Sequence, residues 1–341
     1  MKSDLTIILL LKDRHEFNER IIKFFLKNKS NYYLFISDGG KKKLNKKIVN
    51  KIKNNKFIKY FRFPQDKSYH IFYKKIYRTL KLIKTKYFIF LANDDFLIYK
   101  SLYNCLNFLK KNRGKGYIGA GGTMLGFECL RDKKGLMRMS NFINIYKYIK
   151  LDYQNKIKRF NTFIKNYNDL PRNCILDKTV MLNIYKRSIN LFDNNIEFKD
   201  HFTNLFTIIQ GKIKIFNKIL VLHEAHSENS EGNFRSKIIL QTFKNDNFFN
   251  DLSIFDKILS KKLKKNNYVV NKYYKYVLSK HLEALQLKSE PSINEIKKYI
   301  FKKLERKIFK TRLKKKQYNN KNKIDKDAMN TINFVEKKII N

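Results

Sequence analysis

Short apolar segments alternate with amphipathic segments through residues 5–120, and this alternation most restricts how the chain can fold. The segment Leu5–Leu11 is continuously apolar, as expected of a strand buried on both faces. In the segment that follows, Phe17, Ile21, Phe24 and Phe25 recur at helical spacing. Strands that alternate with helices favour a parallel sheet with helical crossovers. The sequence therefore predicts an α/β fold.

The same alternation places the other elements. Further strands are predicted at Tyr32–Ile36, Phe57–Phe63, Tyr87–Ala92 and Gly116–Ala120. The intervening helices are predicted at His15–Leu26, Leu44–Ile52, Tyr69–Ile83 and Leu97–Leu109. Residues 127–195 are less regular, and then a helix at Phe198–Ile209 precedes two short strands, Lys212–Phe216 and Ile219–Leu222. We interpret the glycines of residues 114–126 as turn formers, because glycine adopts turn conformations freely.

The chain beyond about residue 235 is helical in pattern and very basic. Ser292 and Glu295 have the spacing of a capping box at a helix start. An apolar stripe follows, surrounded by lysines, at Ile293, Ile296, Ile300, Leu304 and Ile308. We predict that this helix packs on its own domain with its lysines solvated; the alternative is that it lies on an acidic membrane surface. Residues 1–234 are predicted to form one domain and 235–341 a basic helical extension.

The charge of the chain is strongly positive: 75 Lys and Arg against 29 Asp and Glu, a formal net charge of +46 over 341 residues. Such a charge attracts nucleic acid, acidic lipid or nucleotide-linked substrates. The abundance of Lys, Asn, Ile, Phe and Tyr also matches the amino acids of AT-rich codons, so genomic bias on solvated faces is the other explanation.

Cysteine usage and hydropathy exclude several classes. Cys105, Cys129 and Cys174 are widely separated, which supports neither a zinc site nor a disulfide framework and fits a reducing cytosol. No apolar run approaches the ~20 residues of a membrane-spanning helix. Leu5–Leu11 is too short for a signal-peptide core. A cytoplasmic location is expected.

The predicted strand Tyr87–Ala92 ends at the acidic triplet Asn93-Asp94-Asp95. Ligands of parallel α/β sheets bind at the carboxyl ends of the strands. Carboxylate and amide oxygens there can hold a hard divalent cation, which in turn can hold a diphosphate. The other interpretation is a turn that caps the next helix, since Asn and Asp favour such turns.

Two more strands end in polar residues, and the three segments together resemble a known family. They are 6–14 (TIILLLKDR), 36–40 (ISDGG) and 90–96 (FLANDDF). The chain resembles glycosyltransferases of the GT-A fold, similar to the family-2 group of bacterial sugar transferases, over about residues 4–226. The resemblance implies a Rossmann-like, mainly parallel mixed sheet flanked by helices. It also implies a nucleotide-diphosphate sugar donor, a divalent metal (Mn or Mg) and a saccharide or lipid-linked acceptor.

The resemblance also implies roles for individual residues at the donor site. Asp13 and Arg14 would line the nucleotide pocket, and Asp38 would bind the base or ribose. The triplet matches the DXD motif of the family, with Asn93 in place of its first aspartate. Asp95 would bind the metal, and Asp94 would bind the ribose or orient the metal.

For the acceptor side, the family often carries a Glu-Asp pair whose aspartate is the catalytic base, here broken into Glu197-Phe198-Lys199-Asp200. Asp200 is the candidate base and Glu197 the reserve; a helix-capping role is the alternative for Asp200. His223, and less so His226, would be a further metal or phosphate contact, a surface loop position being the alternative. The resemblance implies an inverting displacement in cell-surface polysaccharide or lipopolysaccharide synthesis at the inner face of the membrane.

Three other functions remain open from the sequence. A nucleotidyltransferase would carry a glycine-rich signature after its first strand, which residues 12–16 lack. A nucleic-acid-binding protein would suit the charge, but the aromatic residues have core spacing and no binding motif is present. A non-catalytic protein of the same fold would fit Asn93 and the broken Glu-Asp pair.

Overall fold

The computed structural model describes residues 4–28, 31–131, 135–146, 148–168, 170–192, 196–225, 248–265, 268–273, 276 and 324–340. These residues form a nine-stranded mixed sheet with helices packed on both faces. The predicted α/β class, a sheet with a parallel first half flanked by helices, is confirmed.

The elements follow each other nearly as predicted in the first 110 residues. The strands are β1 (Leu5–Leu11), β2 (Tyr33–Asp38), β3 (Ile58–Arg62), β4 (Tyr87–Leu91), β5 (Asp95–Leu97), β6 (Tyr117–Arg131), β7 (Met137–Tyr146), β8 (Ile175–Asp177) and β9 (Lys212–Glu224). The helices are α1 (His15–Lys27), α2 (Lys46–Lys53), α3 (Tyr69–Leu82), α4 (Tyr99–Lys111), α5 (Lys156–Lys165), α6 (Lys178–Leu191), α7 (Ile196–Gln210), α8 (Phe248–Leu263), α9 (Tyr268–Tyr273) and α10 (Lys326–Val335). A 3₁₀ turn (Leu170–Asn173) precedes β8, and a π turn (Glu336–Ile340) follows α10.

The order of strands across the sheet is β3-β2-β1-β4-β8-β6-β9-β5, and β7 pairs with β6. Strands β3, β2, β1 and β4 are parallel neighbours, whereas β8 is antiparallel to both β4 and β6. The carboxyl ends of β1, β2 and β4 therefore lie along one edge of the sheet, as predicted.

Side chains of successive strand residues enter two separate cores, because they alternate between the faces of a sheet. On β1, Ile8 belongs to the core shared with α3 and α5–α9, while Ile7 and Leu9 belong to the core shared with α1, α4 and α10. Both faces of the sheet are covered, which explains why the strand is apolar at every position.

The glycine-rich stretch is a strand, so the interpretation of its glycines as turn formers was wrong for most of them. Only Gly114 and Gly116 have positive φ, and the others lie inside the long strand β6. A Cβ on Gly121 would lie 2.3 Å from Sγ of Cys174, and one on Gly122 would lie 2.3 Å from the carbonyl oxygen of Lys218. These glycines allow neighbouring strands to approach closely.

Two further predictions are corrected near the candidate site. The two short strands predicted after α7 are a single strand, β9. The residues after Asp94 begin the short strand β5 rather than a helix, and α4 begins at Tyr99 after an N-cap at Ile98 that makes no side-chain hydrogen bond. The triplet therefore does not cap α4; it leads into a strand antiparallel to β9.

Segments from the predicted extension pack on both faces of the sheet. Phe255 of α8 contacts Phe198 of α7, with ring centroids 5.5 Å apart. Phe334 of α10 contacts Phe24 of α1 at 6.1 Å. The predicted boundary at residue 234 and the predicted helix 293–308 lie outside the described residues. Among the described helices, none is both long and apolar enough to cross a membrane, and all three cysteines are free thiols.

Candidate active site at the carboxyl ends of the strands

The turn after β1 holds two consecutive residues in the left-handed backbone region, Asp13 (φ 47°) and Arg14 (φ 56°). Such conformations cost about 1–3 kcal/mol each for residues other than glycine and concentrate at functional sites. The turn is fixed by Asn18, whose amide donates to the carbonyl of Asp13 at 2.7 Å, and by the backbone N–H of Lys41, which donates to the Asp13 carboxylate at 2.7 Å. The turn directs the Arg14 side chain toward the end of β4.

Arg14 links the β1 turn to the acidic triplet. Its guanidinium donates to Asp94 at 2.9 Å and to the amide oxygen of Asn93 at 3.2 Å, and it stacks over Phe17 at 4.2 Å. The amide nitrogen of Asn93 in turn donates to Asn18 at 2.7 Å. An aspartate could not donate that last bond. Asn93 therefore bridges Arg14 and Asn18, a role that the comparison with the DXD pattern did not predict.

Asp95 and His223 face each other because β5 and β9 pair antiparallel, with these two residues in register. The imidazole Nδ1 and the Asp95 carboxylate are 2.7 Å apart. The backbone N–H of Ala92 donates to the second carboxylate oxygen at 3.1 Å. Burial lowers the pKa of His223, but the hydrogen bond to Asp95 and the charges of Asp95 and Asp94 outweigh it and raise this pKa to about 9.

Asp94, Asp95 and His223 offer ligand atoms that all lie within 4.8 Å of one another. Two carboxylates and a neutral imidazole form a donor set that suits Mn²⁺, and carboxylates suit Mg²⁺; a bound metal would displace the proton that the raised pKa leaves on His223. Ligands about 2.1 Å from one ion are at most about 4.2 Å apart, so small side-chain rotations close the set around a cation. The residues present therefore fit a divalent metal.

Asp38, at the end of β2, lies next to Asp13. Its carboxylate accepts from the backbone N–H of Gly40 at 2.9 Å and from the hydroxyl of Tyr60 at 2.7 Å, and pairs with Arg62 at 2.7 Å. A Cβ on Gly40 would lie 3.3 Å from oxygens of both Asp13 and Asp38. Burial and the hydrogen bond to Asp38 raise the pKa of Tyr60 well above its usual value.

Asp200 lies on α7 in a different set of contacts. The hydroxyl of Tyr73 donates to one carboxylate oxygen, and Arg172 donates to the other at 3.3 Å. Burial, followed by the charge of Asp200, raises the pKa of Tyr73 well above its usual value. The structure thus brings Arg14, Asp94, Asp95 and His223 together and Asp13 beside Asp38, whereas Asp200 is held by residues of α3 and the 3₁₀ turn. Glu197 lies within α7, and His226 lies outside the described residues.

A buried ion pair lies behind the ends of β1 and β2. Lys75 of α3 pairs with Asp66, and it also donates to the carbonyl of Leu11 at 3.2 Å. The backbone N–H of Asp66 donates to the carbonyl of Gly39 at 2.9 Å. A Cβ on Gly39 would lie 2.3 Å from the Asp66 carboxylate. The pair fixes the positions of the two loops that carry Asp13 and Asp38.

Sequence reasoning missed Asn18, Arg62, Tyr73 and Arg172, as well as this pair. Arg62 could have been found, since it is the last residue of β3 and the rule that selected Asp38 applies to it. Tyr73, Asn18 and Lys75 occupy helix faces that read as ordinary core or surface positions. No local signal distinguishes them.

Comparisons with known proteins found distant structural similarity and no match by sequence. No protein-family model matches the chain, and no curated protein matches it. Among solved structures, S. aureus TarS 1-349 is 12% identical over 87% of this chain and 78% of that chain, with a TM-score of 0.44. The same protein in complex with UDP is 11% identical over the same shares, with a TM-score of 0.48. Its complex with UDP-GlcNAc is 11% identical over 81% and 76%, with a TM-score of 0.43. Because these identities and TM-scores are low, we infer function from the residues of the chain itself.

Proposed function

We propose that the chain is a GT-A-type glycosyltransferase, similar to the family-2 group, that transfers a sugar from a nucleotide diphosphate to a saccharide or lipid-linked acceptor. The observation that carries the proposal is the convergence of Asp94, Asp95 and His223 at the carboxyl end of β4, next to Arg14. The set combines metal-ligand chemistry with a cation positioned for phosphate.

In this proposal Asp95 and His223 hold a divalent ion and Asp94 orients it. A bound divalent ion neutralises negative charge that develops on a diphosphate leaving group. Arg14 binds a phosphate oxygen through its planar guanidinium, which suits phosphate geometry. The strained β1 turn holds Arg14 in place before the donor arrives, so little reorganisation accompanies the reaction.

The other donor contacts are assigned to the adjacent pair of carboxylates. Asp13 and Asp38 border the loop at Gly40, where the nucleoside is proposed to lie. Tyr60 and Arg62 keep the Asp38 carboxylate in one orientation.

Asp200 is the proposed base that accepts the proton of the acceptor hydroxyl in an inverting displacement. Tyr73 and Arg172 restrict its carboxylate from two sides, and a base must be positioned before it can act. Cell-surface polysaccharide or lipopolysaccharide synthesis, on the cytoplasmic side of the membrane with peripheral membrane contact, is the proposed setting.

The proposal is tested by thermal shift against a panel of nucleoside diphosphates and their sugars, UDP and UDP-GlcNAc included, with and without Mn²⁺. We expect one nucleotide to stabilise the protein only when Mn²⁺ is present, by about 2.7 kcal/mol at a concentration 100 times its dissociation constant. Asp95→Asn should abolish this stabilisation. Asp4→Asn, which alters a half-exposed carboxylate at the start of β1, is the control and should retain it.

The opposite results are equally informative. Absence of stabilisation by every nucleotide would remove the donor site from the proposal. Stabilisation that is unchanged in Asp95→Asn would remove the metal site alone. Product analysis with an acceptor panel and the Asp200→Asn variant then tests the assigned base.

A further inference from the structure

A concave site lies toward the carboxyl-terminal end of α7, away from Asp200. It is a cleft of about 490 Å³ formed by α6, α7 and α8. Small-ligand sites occupy about 300–1,000 Å³ and are common between structural units. Its nine lining residues are Val180, Asn183, Ile184, Lys186, Arg187, Asn190, Phe206, Gln210 and Lys262.

The cleft is distinct from the candidate active site. Gln210 follows Asp200 by ten residues on α7, which is about 15 Å along the helix axis. Lys262 comes from α8, beyond the predicted end of the first domain, so the predicted extension contributes one of the nine lining residues.

The charged residues that line the cleft are all positive. Lys186, Arg187 and Lys262 supply three cations, and no residue among these nine carries a carboxylate. An anion in the cleft would therefore meet three positive charges with no acidic lining residue to oppose them. Positive charges that line a concave site both attract an anionic ligand and orient it.

The remaining lining residues specify more than a charge. Asn183, Asn190 and Gln210 each offer an amide, which both donates and accepts hydrogen bonds, as the hydroxyls of a saccharide require. Val180, Ile184 and Phe206 supply the apolar part of the lining, and Ile184 and Phe206 are themselves buried. The guanidinium of Arg187 lies 5.7 Å from the centroid of the Phe206 ring, a cation–π contact that orients this cation.

The arrangement is built on regular elements. Asn183, Arg187 and Asn190 have the spacing i, i+4 and i+7, so they lie on one face of α6. Phe206 and Gln210 are likewise one helical turn apart on α7. The side chains of the cleft are thus held by packed helices rather than by loops.

We infer that this cleft binds a phosphorylated saccharide. If the proposed function is correct, that saccharide is a part of the acceptor distant from the reacting hydroxyl; this assignment alone rests on the proposed function. The substrate class of the enzyme would then be an anionic glycan, held at two points along α7.

The test is a binding measurement that involves no sugar transfer. The probe is a fluorescein-labelled trisaccharide carrying one phosphomonoester, followed by fluorescence anisotropy at about 0.15 M salt, where the Debye length is about 8 Å and distant charges are screened. The neutral trisaccharide is the comparison probe. We expect the phosphorylated probe to bind at least ~10-fold more tightly.

The variant pair is matched in charge. Arg187→Glu with Lys262→Glu changes the net charge by −4, and so does the control, Lys111→Glu with Lys115→Glu, at exposed positions at and just after the end of α4. We expect the cleft variant to lose roughly 10-fold or more in affinity and the control less than about 2-fold, since only nearby charges act at this salt. The milder Gln210→Ala should weaken both the phosphorylated and the neutral probe.

Three results would overturn the inference: no binding of the phosphorylated probe, equal losses in the cleft and control variants, or equal affinity for both probes. Vesicles containing phosphatidylglycerol provide a further arm. Cleft-dependent binding to vesicles without binding of the trisaccharide would identify a lipid headgroup site and overturn the saccharide assignment. Nucleotide stabilisation measured on the same variants separates this inference from the proposed function, because either can fail while the other holds.

Discussion

Two ion pairs at the carboxyl ends of the strands differ in depth. The side chains of Lys75 and Asp66 are 1% and 0% exposed, whereas those of Arg14 and Asp94 are 28% and 10% exposed. The deep pair bonds to the backbone of β1 and of the loop after β2, and the shallow pair includes Asp94, one of the three candidate metal ligands. The difference indicates that one pair fixes the loops and the other is available to a ligand.

Removal of one partner from the deep pair should have the largest effect on stability. Burial is the dominant influence on both groups: it raises the pKa of Asp66 and lowers that of Lys75. Lys75→Met would leave a buried carboxylate without its counter-charge, which costs about 3–5 kcal/mol. The exposed neighbour Lys74→Met is the control and should change stability by less than about 0.5 kcal/mol.

Chemical denaturation of both variants measures this effect. The double variant Lys75→Met with Asp66→Asn should recover part of the loss, because no buried charge remains. A Lys75→Met protein as stable as the wild type would contradict the structural role of the deep pair.

An intermediate effect is expected at Asp200, whose side chain is 16% exposed. Tyr73→Phe removes a buried hydroxyl that donates to this carboxylate, and hydrogen bonds to charged groups contribute about 1.5–3 kcal/mol. Denaturation midpoints provide the measurement, and Tyr103→Phe, at an exposed tyrosine, is the control. A loss no larger than that of the control would show that the Tyr73 hydroxyl does not help to position Asp200.

The shallow pair should affect stability little and nucleotide binding more. Arg14→Gln should cost only about 0–1 kcal/mol, as partly exposed ion pairs do. It should nevertheless weaken nucleotide-diphosphate binding by roughly 10-fold, since a charge-assisted bond to phosphate is lost. Isothermal titration with the nucleotide selected by the thermal-shift panel measures this; Arg14→Lys should recover part of the affinity. An unchanged nucleotide-diphosphate affinity in Arg14→Gln would contradict the role of Arg14 in binding the nucleotide.

The smallest effect is expected at the exposed pair formed by Lys100 and Asp327, whose side chains are 64% and 22% exposed. Lys100→Ala should change stability by less than about 0.5 kcal/mol, and the difference should vanish in high salt. Denaturation at two salt concentrations measures it. A larger loss of stability that persists in high salt would mean that solvent exposure does not predict how much each ion pair contributes to stability.

An element was predictable from the sequence when its form depends on its own residues, and it was missed when its form depends on residues distant in the sequence. Strands β1, β2 and β4 were found because burial on both faces makes them continuously apolar. Strand β6 was missed beyond Ala120, because its glycines are required by Lys218 on β9 and by Cys174, which directly precedes β8, and both lie far away in the sequence. Local patterns carry no record of such contacts.

The candidate site divides in the same way. The location of Asp13, Asp38 and Asp95 at one edge of the sheet was predictable, because strand ends are visible in the sequence. The contact of His223 with Asp95 depends on the register between β5 and β9, and β5 itself is only three residues long. Partners such as Arg172 and Asn18 depend on tertiary packing that a strand-end rule does not address.

The contacts that α10 and the π turn after it make with α1 have a consequence for how the protein is made. Lys23 and Lys27 of α1 donate to carbonyls of Ile339 and Lys338 in the π turn, and Phe24 of α1 contacts Phe334 of α10. About 310 residues separate the two phenylalanines. Chains are synthesised at about 5–20 residues per second. One face of the first helix therefore stays uncovered during synthesis for at least about 15 seconds, because the residues that cover it are made about 310 residues later.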